Sequence, residues 1–103
     1  MNKKDIFDRI CLVEPIPEGV FQLHLKSTVQ DIKVRYGEKY TENSDSEISL
    51  RCEYENALYM GILYRVTGRV QYDEEYRRLA NGAYYRVWRE LEKKRRKDKT
   101  NDV

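Results

Sequence analysis

The chain has 103 residues, of which 37% are charged, 40% hydrophobic and 12% aromatic, and its formal net charge is +2. That length sets a single domain with a modest core, and the near balance of charge excludes a uniformly basic or acidic polyelectrolyte. No run approaches the roughly 20 apolar residues of a membrane span, and two cysteines without a CxxC or a histidine neighbour read as free thiols in a reducing cytoplasm.

The opening "KKDIFDRICLV" sets Ile6 and Ile10 four apart, with Phe7 and Cys11 beside them. It predicts a short amphipathic helix. Pro15 and Pro17 end it, because proline cannot continue a helix and restricts the residue before it. The next segment supports two readings. Phe21, Leu23 and Leu25 alternate with Gln22, His24 and Lys26, which is the signature of a short β element at 20–26. Phe21, Leu25, Val29, Ile32 and Tyr36 also form a helical stripe. Pro17 suits its first turn and Gly37 its end. The longer pattern favours one helix from Pro17 to about Tyr36.

"EKYTENSDSE" has no apolar period and reads as a loop. Ser44 and Glu47 have the spacing of a capping box, which predicts a helix from about 45 to Thr67. Its middle, "ALYMGILY", is apolar on all sides and therefore buried on most of them. Gly68 suits the C-cap. The short connection "GRVQ" then sends the next helix back antiparallel. Tyr72, Tyr76, Ala80, Ala83, Val87 and Leu91 hold one helical phase through Asn81-Gly82. A turn there would reset the phase, so one helix is expected from about 72 to 96. Gly82 then costs about 1 kcal/mol relative to alanine. A close helix crossing, with Ala57 opposite Gly82 and Gly61 near Arg78 and Leu79, would offset that cost. The expected fold is all-α: a compact bundle of three to four helices whose spine is the hairpin of about 45–67 and 72–96. It forms one domain over 1–97, with 98–103 expected to be a disordered tail.

Charge is distributed unevenly along this frame. Between 38 and 55 the acids Glu38, Glu42, Asp45, Glu47, Glu53 and Glu55 face only Lys39 and Arg51. Between 84 and 99 the bases Arg86, Arg89, Lys93, Lys94, Arg95, Arg96, Lys97 and Lys99 face Glu90, Glu92 and Asp98. Such asymmetry bears on partners rather than on fold.

Chemistry has few footholds. His24 is the single histidine, and both a metal site and a catalytic triad need several converging groups. Asp73, Glu74 and Glu75 sit in a first helical turn, where acids favour the dipole. No nucleotide-binding, zinc-protease or serine-hydrolase motif occurs. A non-enzymatic protein without metal or cofactor is expected. A helix-turn-helix over 28–48 would put Lys33 and Asn43 at buried small and aliphatic positions. Met60, Gly61, Tyr64 and Gly68 look similar to the first helix of a tetratricopeptide repeat, but the register then slips and no second copy follows.

The last helix stands out. Arg78, Tyr84, Tyr85, Arg86, Trp88, Arg89, Lys93 and Arg96 are its partner-binding candidates. Tyrosine and arginine are enriched at interface hot spots, which favours a protein partner or self-association. Small accessory proteins of phages and mobile elements share this character. DNA or RNA is the alternative partner, since bases neutralise phosphates and planar rings stack on nucleobases. The competing structural account makes Tyr84 and Trp88 part of the core stripe. It pairs the charges along the helix as Glu74–Arg78 and Glu90–Lys94.

Overall fold

The computed structural model describes residues 1–39 and 41–101, with side chains through Lys97. Among these residues the chain forms four α-helices, one 3-10 turn and no strand. α1 covers Lys3–Val13, α2 Glu18–Arg35, α3 Glu55–Thr67 and α4 Val70–Asn101. The molecule is an elongated all-α bundle of 56 × 30 × 21 Å.

α1 starts at Asn2, whose side chain accepts from the amides of Lys4 and Asp5 at 2.8 and 3.2 Å. This satisfies two of the donors that every helix start leaves open. Ile6 and Ile10 are buried. Phe7 meets Phe21 of α2 edge to face, with centroids 5.0 Å apart, a favoured aromatic geometry.

α2 passes through the whole segment that also reads as a β element. Phe21, Leu25, Val29 and Ile32 are buried, whereas Leu23, which alternation would place beside them, is 64% exposed. The longer helical period prevails because it buries four core side chains on one stripe. A lone strand would have no ladder to join. After Tyr36 the chain leaves the helix through Gly37 at φ +68°, a conformation that costs a β-carbon-bearing residue energy.

The helix expected from 45 begins instead at Glu55, after a 3-10 turn over Cys52–Tyr54. The preceding segment is a stitched loop. Ser44 and Glu47 do interact, but they close a turn. The Glu47 amide donates to Ser44 Oγ at 2.9 Å and the Ser44 amide to the Glu47 carbonyl at 3.0 Å. Asn43 Oδ1 accepts from the Ser49 amide at 2.7 Å. Short polar side chains thus offer the backbone an alternative to the helix. Ile48 is buried, and its amide donates to the Met1 carbonyl at 2.7 Å, while the Lys3 amide donates to the Ser46 carbonyl at 2.9 Å. The loop is therefore tied to the start of α1. Lys33 anchors its other side. Its buried ammonium donates to Thr41 Oγ1 at 3.1 Å and Ser49 Oγ at 3.2 Å.

α3 is buried on most sides, as its apolar middle requires, through Ala57, Leu58, Tyr59, Gly61, Ile62 and Leu63. Gly68, at φ +71°, ends it. The chain returns in α4, which continues without a break through Asn81-Gly82. Asn81 has a tertiary role: its Oδ1 accepts from the Tyr36 hydroxyl at 2.6 Å, fastening the end of α2 to the middle of α4.

The close packing expected at Gly82 is found at Gly61 instead. A β-carbon on Gly82 would meet only an Arg86 guanidinium nitrogen at 3.7 Å, whereas one on Gly61 would lie 2.6 Å from Thr28 Cγ2 and 2.9 Å from the Tyr76 ring. Gly61 sits between α2 and α4, a relation that a two-helix projection cannot represent. The backbone of α4 stays helical to Asn101. The expected tail therefore falls partly on helix and partly, at 102 and 103, outside the described residues.

Candidate binding surface on the last helix

α4 outruns its partners. It has 32 residues and α3 has 13, so at about 1.5 Å per residue it extends well past the far end of the hairpin. Within the bundle its inward stripe is Tyr76, Ala80, Ala83 and Val87, all buried. Past Val87 the same side carries Leu91 and the adjoining flank carries Trp88, each 50% exposed. Helical phase puts Leu91 at the end of the buried stripe. The structure leaves it half in solvent because α3 and the 3-10 turn end short of it.

Seven of the eight candidates fall into two groups. Tyr84 and Trp88 lie on the flank nearest the bundle. Arg78, Tyr85, Arg89, Lys93 and Arg96 recur at helical spacing on the outward side, opposite the buried stripe. Tyr85 is 63% exposed. Arg78 is engaged by Glu75 at 2.6 Å, in place of the expected pair with Glu74. Of the expected pairing within the tip, Arg95–Glu92 at 3.9 Å is found instead of Glu90–Lys94. Arg86 reaches back, and its Nη2 donates to the Glu53 carbonyl at 3.5 Å. It belongs to the joint between α4 and the 3-10 turn rather than to either group.

Tyr84 is held by an arrangement that the one-dimensional pattern does not reveal. Its ring stacks on Tyr36 with centroids 4.8 Å apart, and Tyr36 stacks in turn on Tyr54 at 5.7 Å. Three tyrosines, from just past α2, from the 3-10 turn and from α4, thus form a column from the core to the surface, with Tyr85 tilted against its outer end. The column fixes where the exposed length of α4 leaves the bundle. A partial hint lies in the sequence: Tyr36 ends the α2 stripe, but the expected helix from about 45 places Tyr54 in its interior and gives no sign of the column.

Tyr54 is fully buried, and its hydroxyl has no hydrogen-bond partner among the described residues. Burial, with the nearby Glu38 charge, pushes its pKa up to about 12. Burial raises Tyr36 as well. The raised folded value means the neutral phenol is favoured in the fold. That contribution is complete below the ordinary value of about 10 and is lost as pH rises through about 12. Tyr54→Phe removes a hydroxyl whose desolvation is uncompensated, so it is expected to hold or raise stability by up to about 1 kcal/mol. It should also reduce the alkaline loss, a contrast that urea midpoints at neutral and strongly alkaline pH would measure.

Among the described residues no three His, Cys, Asp or Glu side chains group as a metal site, and no helix is long and apolar enough to cross a membrane. His24 is half-buried on α2. What the last helix offers chemically is cationic charge, three exposed aromatic rings (Tyr84, Tyr85 and Trp88) and one half-exposed leucine on a continuous helix. Comparison of the chain with protein-family models, curated proteins and solved structures finds no match.

Proposed function

We propose that the chain is a non-enzymatic binding protein that recognises another protein through the projecting half of α4. The carrying observation is the continuation of the inward stripe beyond the bundle. Leu91, one turn past the buried Val87, and Trp88, on the adjoining flank, are each half-exposed. An amphipathic helix with anchors at Tyr84, Trp88 and Leu91 has the i, i+4, i+7 spacing that docks in an apolar groove. Tryptophan is among the residues most enriched at binding hot spots. The surrounding Arg89, Lys93, Lys94, Arg95 and Lys97 favour a groove with an acidic rim and suppress association with basic surfaces.

The outward row favours a second reading, in which the rod lies along a nucleic-acid backbone. Tyr85, Arg89, Lys93 and Arg96 share one side of the helix, with Glu92 beside them and Glu90 turned away. Phosphate neutralisation by such a row makes affinity fall steeply with salt.

The two readings separate in one experiment. Fluorescence anisotropy of labelled single- and double-stranded DNA and RNA would be followed at low and at near-physiological salt. The protein-binding reading expects no binding that survives the higher salt. Affinity that persists there, and that drops about ten-fold or more when Arg86, Arg89, Lys93 and Arg96 are reversed to glutamate, would transfer the function to nucleic acid. Affinity capture with wild-type chain against Leu91→Glu then tests the protein reading directly. A partner held equally by both would place recognition elsewhere on the molecule.

A further inference from the structure

We infer that the cleft between α1, α2 and the loop at 45–46 is a binding site for a free basic amino acid of the arginine type. The site is separate from α4, which contributes no residue to its lining.

The cleft has a volume of about 500 Å³, within the range of small-molecule sites. Independent contacts hold its walls in place. Phe7 of α1 meets Phe21 of α2 with ring centroids 5.0 Å apart. The Lys3 amide donates to the Ser46 carbonyl at 2.9 Å, and the Ile48 amide donates to the Met1 carbonyl at 2.7 Å. The cleft is therefore part of the fold and needs no ligand to form. Phe7 stays half-buried, and its ring belongs to the lining.

Charged side chains stand on both sides of that ring. Lys3 and Lys4 line the cleft at the start of α1, and the Lys3–Ser46 bond brings Asp45 beside them. Asp8 and Glu18 also line it, on the side of the Phe7–Phe21 contact nearer the 14–17 connection. The side chains of these five residues make no ion pair or hydrogen bond among the described residues, although both signs of charge share one cleft.

The charges select the ligand. Carboxylates outnumber ammoniums by one in the lining. A simple anion would be repelled by Asp8, Glu18 and Asp45, and a simple amine by Lys3 and Lys4. A molecule with one carboxylate and two cations satisfies every group. Its carboxylate goes to Lys3 and Lys4, its α-ammonium to Asp45, its apolar stem along Phe7, and its terminal cation between Asp8 and Glu18. Asp8 lies about 6 to 7.5 Å beyond the lysines along the helix axis, a length that an extended arginine or lysine side chain covers. A guanidinium suits the far end, because its planar fork can engage carboxylates while its face stacks on an aromatic ring.

Backbone amide shifts of the isotope-labelled chain would be followed by NMR as L-arginine is added at low salt. Two further titrations would use L-citrulline, whose urea group is neutral, and agmatine, which lacks the carboxylate. Arginine is expected to give saturable shifts at Lys3, Lys4, Phe7, Gln22 and Ser46. Its dissociation constant should be about 1 mM, the order set by about a dozen heavy atoms at ordinary ligand efficiency. Citrulline and agmatine should each bind about ten-fold more weakly, since each loses charge-assisted hydrogen bonds. Lys4 and Glu18 are exposed, so Lys4→Gln and Glu18→Gln leave the fold intact, which the far-ultraviolet helix signal would verify. Lys4→Gln should weaken arginine about five-fold and leave agmatine unchanged, whereas Glu18→Gln should weaken arginine about five-fold and leave citrulline unchanged. The inference is overturned by the absence of saturable shifts up to about 10 mM arginine, by shifts centred away from the cleft, or by equal affinity for the three ligands. Variants that both bind arginine as tightly as wild type overturn it too.

Discussion

Gly61→Ala and Gly82→Ala are expected to move stability in opposite directions, although they make the same change in the two helices of one hairpin. At Gly82 the new methyl meets only the end of the flexible Arg86 side chain, at 3.7 Å. The helix there gains the full difference in propensity, about 1 kcal/mol, or about 4–8 °C in the melting temperature of a domain near this size. At Gly61 the methyl would sit 2.6 Å from Thr28 Cγ2 and 2.9 Å from two Tyr76 ring carbons. Thr28 cannot rotate away cheaply, because its hydroxyl donates to the His24 carbonyl at 2.7 Å. Tyr76 is buried and held at its far end by Asp31. Overpacking of this kind costs about 1–3 kcal/mol, which exceeds the propensity gain. Gly61→Val, with a second methyl and a β-branch, should lose about 3 kcal/mol or more. Thermal melts of the three variants beside wild type would show the contrast. A Gly61→Ala protein as stable as wild type would mean that α2, α3 and α4 do not converge on that residue.

Gly61 and Gly82 also mark how far the sequence can be read. That α3 and α4 form an antiparallel hairpin follows from a short connection and two apolar periods, and both are local signals. Continuity of α4 through Asn81-Gly82 follows from phase. What local signals cannot supply is the third body. Folding the hairpin on paper pairs Gly61 with α4 alone, so the approach of α2 through Thr28 is lost, and Gly82 takes a role it does not have. The 44–51 loop is a second instance. Its Ser44–Glu47 spacing has the form of a helix start. The decisive partners, the Met1 carbonyl and the Lys33 ammonium, come from elsewhere in the chain.

The candidate surface divides in the same way. The residues of the basic, aromatic helix were legible as a group because helical spacing and composition are local. Their sorting into an outward row, a flank and a joint depends on where the bundle stops. Helical phase assigns Leu91 to the core. Phase gives the side of a helix and not the length of its neighbours. Only the 13-residue extent of α3 makes Leu91 and Trp88 an uncovered pair. The tyrosine column needed three elements to meet, and no period within one of them encodes that meeting.

Asp31→Ala should be the most damaging single change to a polar side chain in the bundle. Asp31 on α2 accepts from the Tyr76 hydroxyl of α4 at 2.5 Å and from Arg35 Nε at 2.9 Å. Arg65 of α3 lies over the Tyr76 ring, 5.9 Å from its centroid. One carboxylate thus joins α2 to α4 within the charge of α3. Partial burial works against its ionised form, but the hydrogen bonds from Tyr76 and Arg35, helped by the Arg35 and Arg65 charges, outweigh that and hold its pKa below the usual carboxylate range. Removing the side chain strands a buried phenol, at a cost of about 1–3 kcal/mol. Tyr76→Phe should cost less than Asp31→Ala, because Asp31 keeps Arg35 and partial contact with water. In the double variant the two losses should fall short of their sum, since both delete the same bond. The pH dependence has a definite sign. A depressed folded pKa means the contribution is present above the unfolded value of about 3.9 and disappears as pH falls through the folded value. The stability gap between wild type and Asp31→Asn, which keeps an acceptor for Tyr76 but not the charge, should therefore be widest near neutrality and close in acid. A gap that stays constant from neutral to strongly acidic pH would show that the joint between α2 and α4 depends on shape and hydrogen bonding alone, with no contribution from the carboxylate charge.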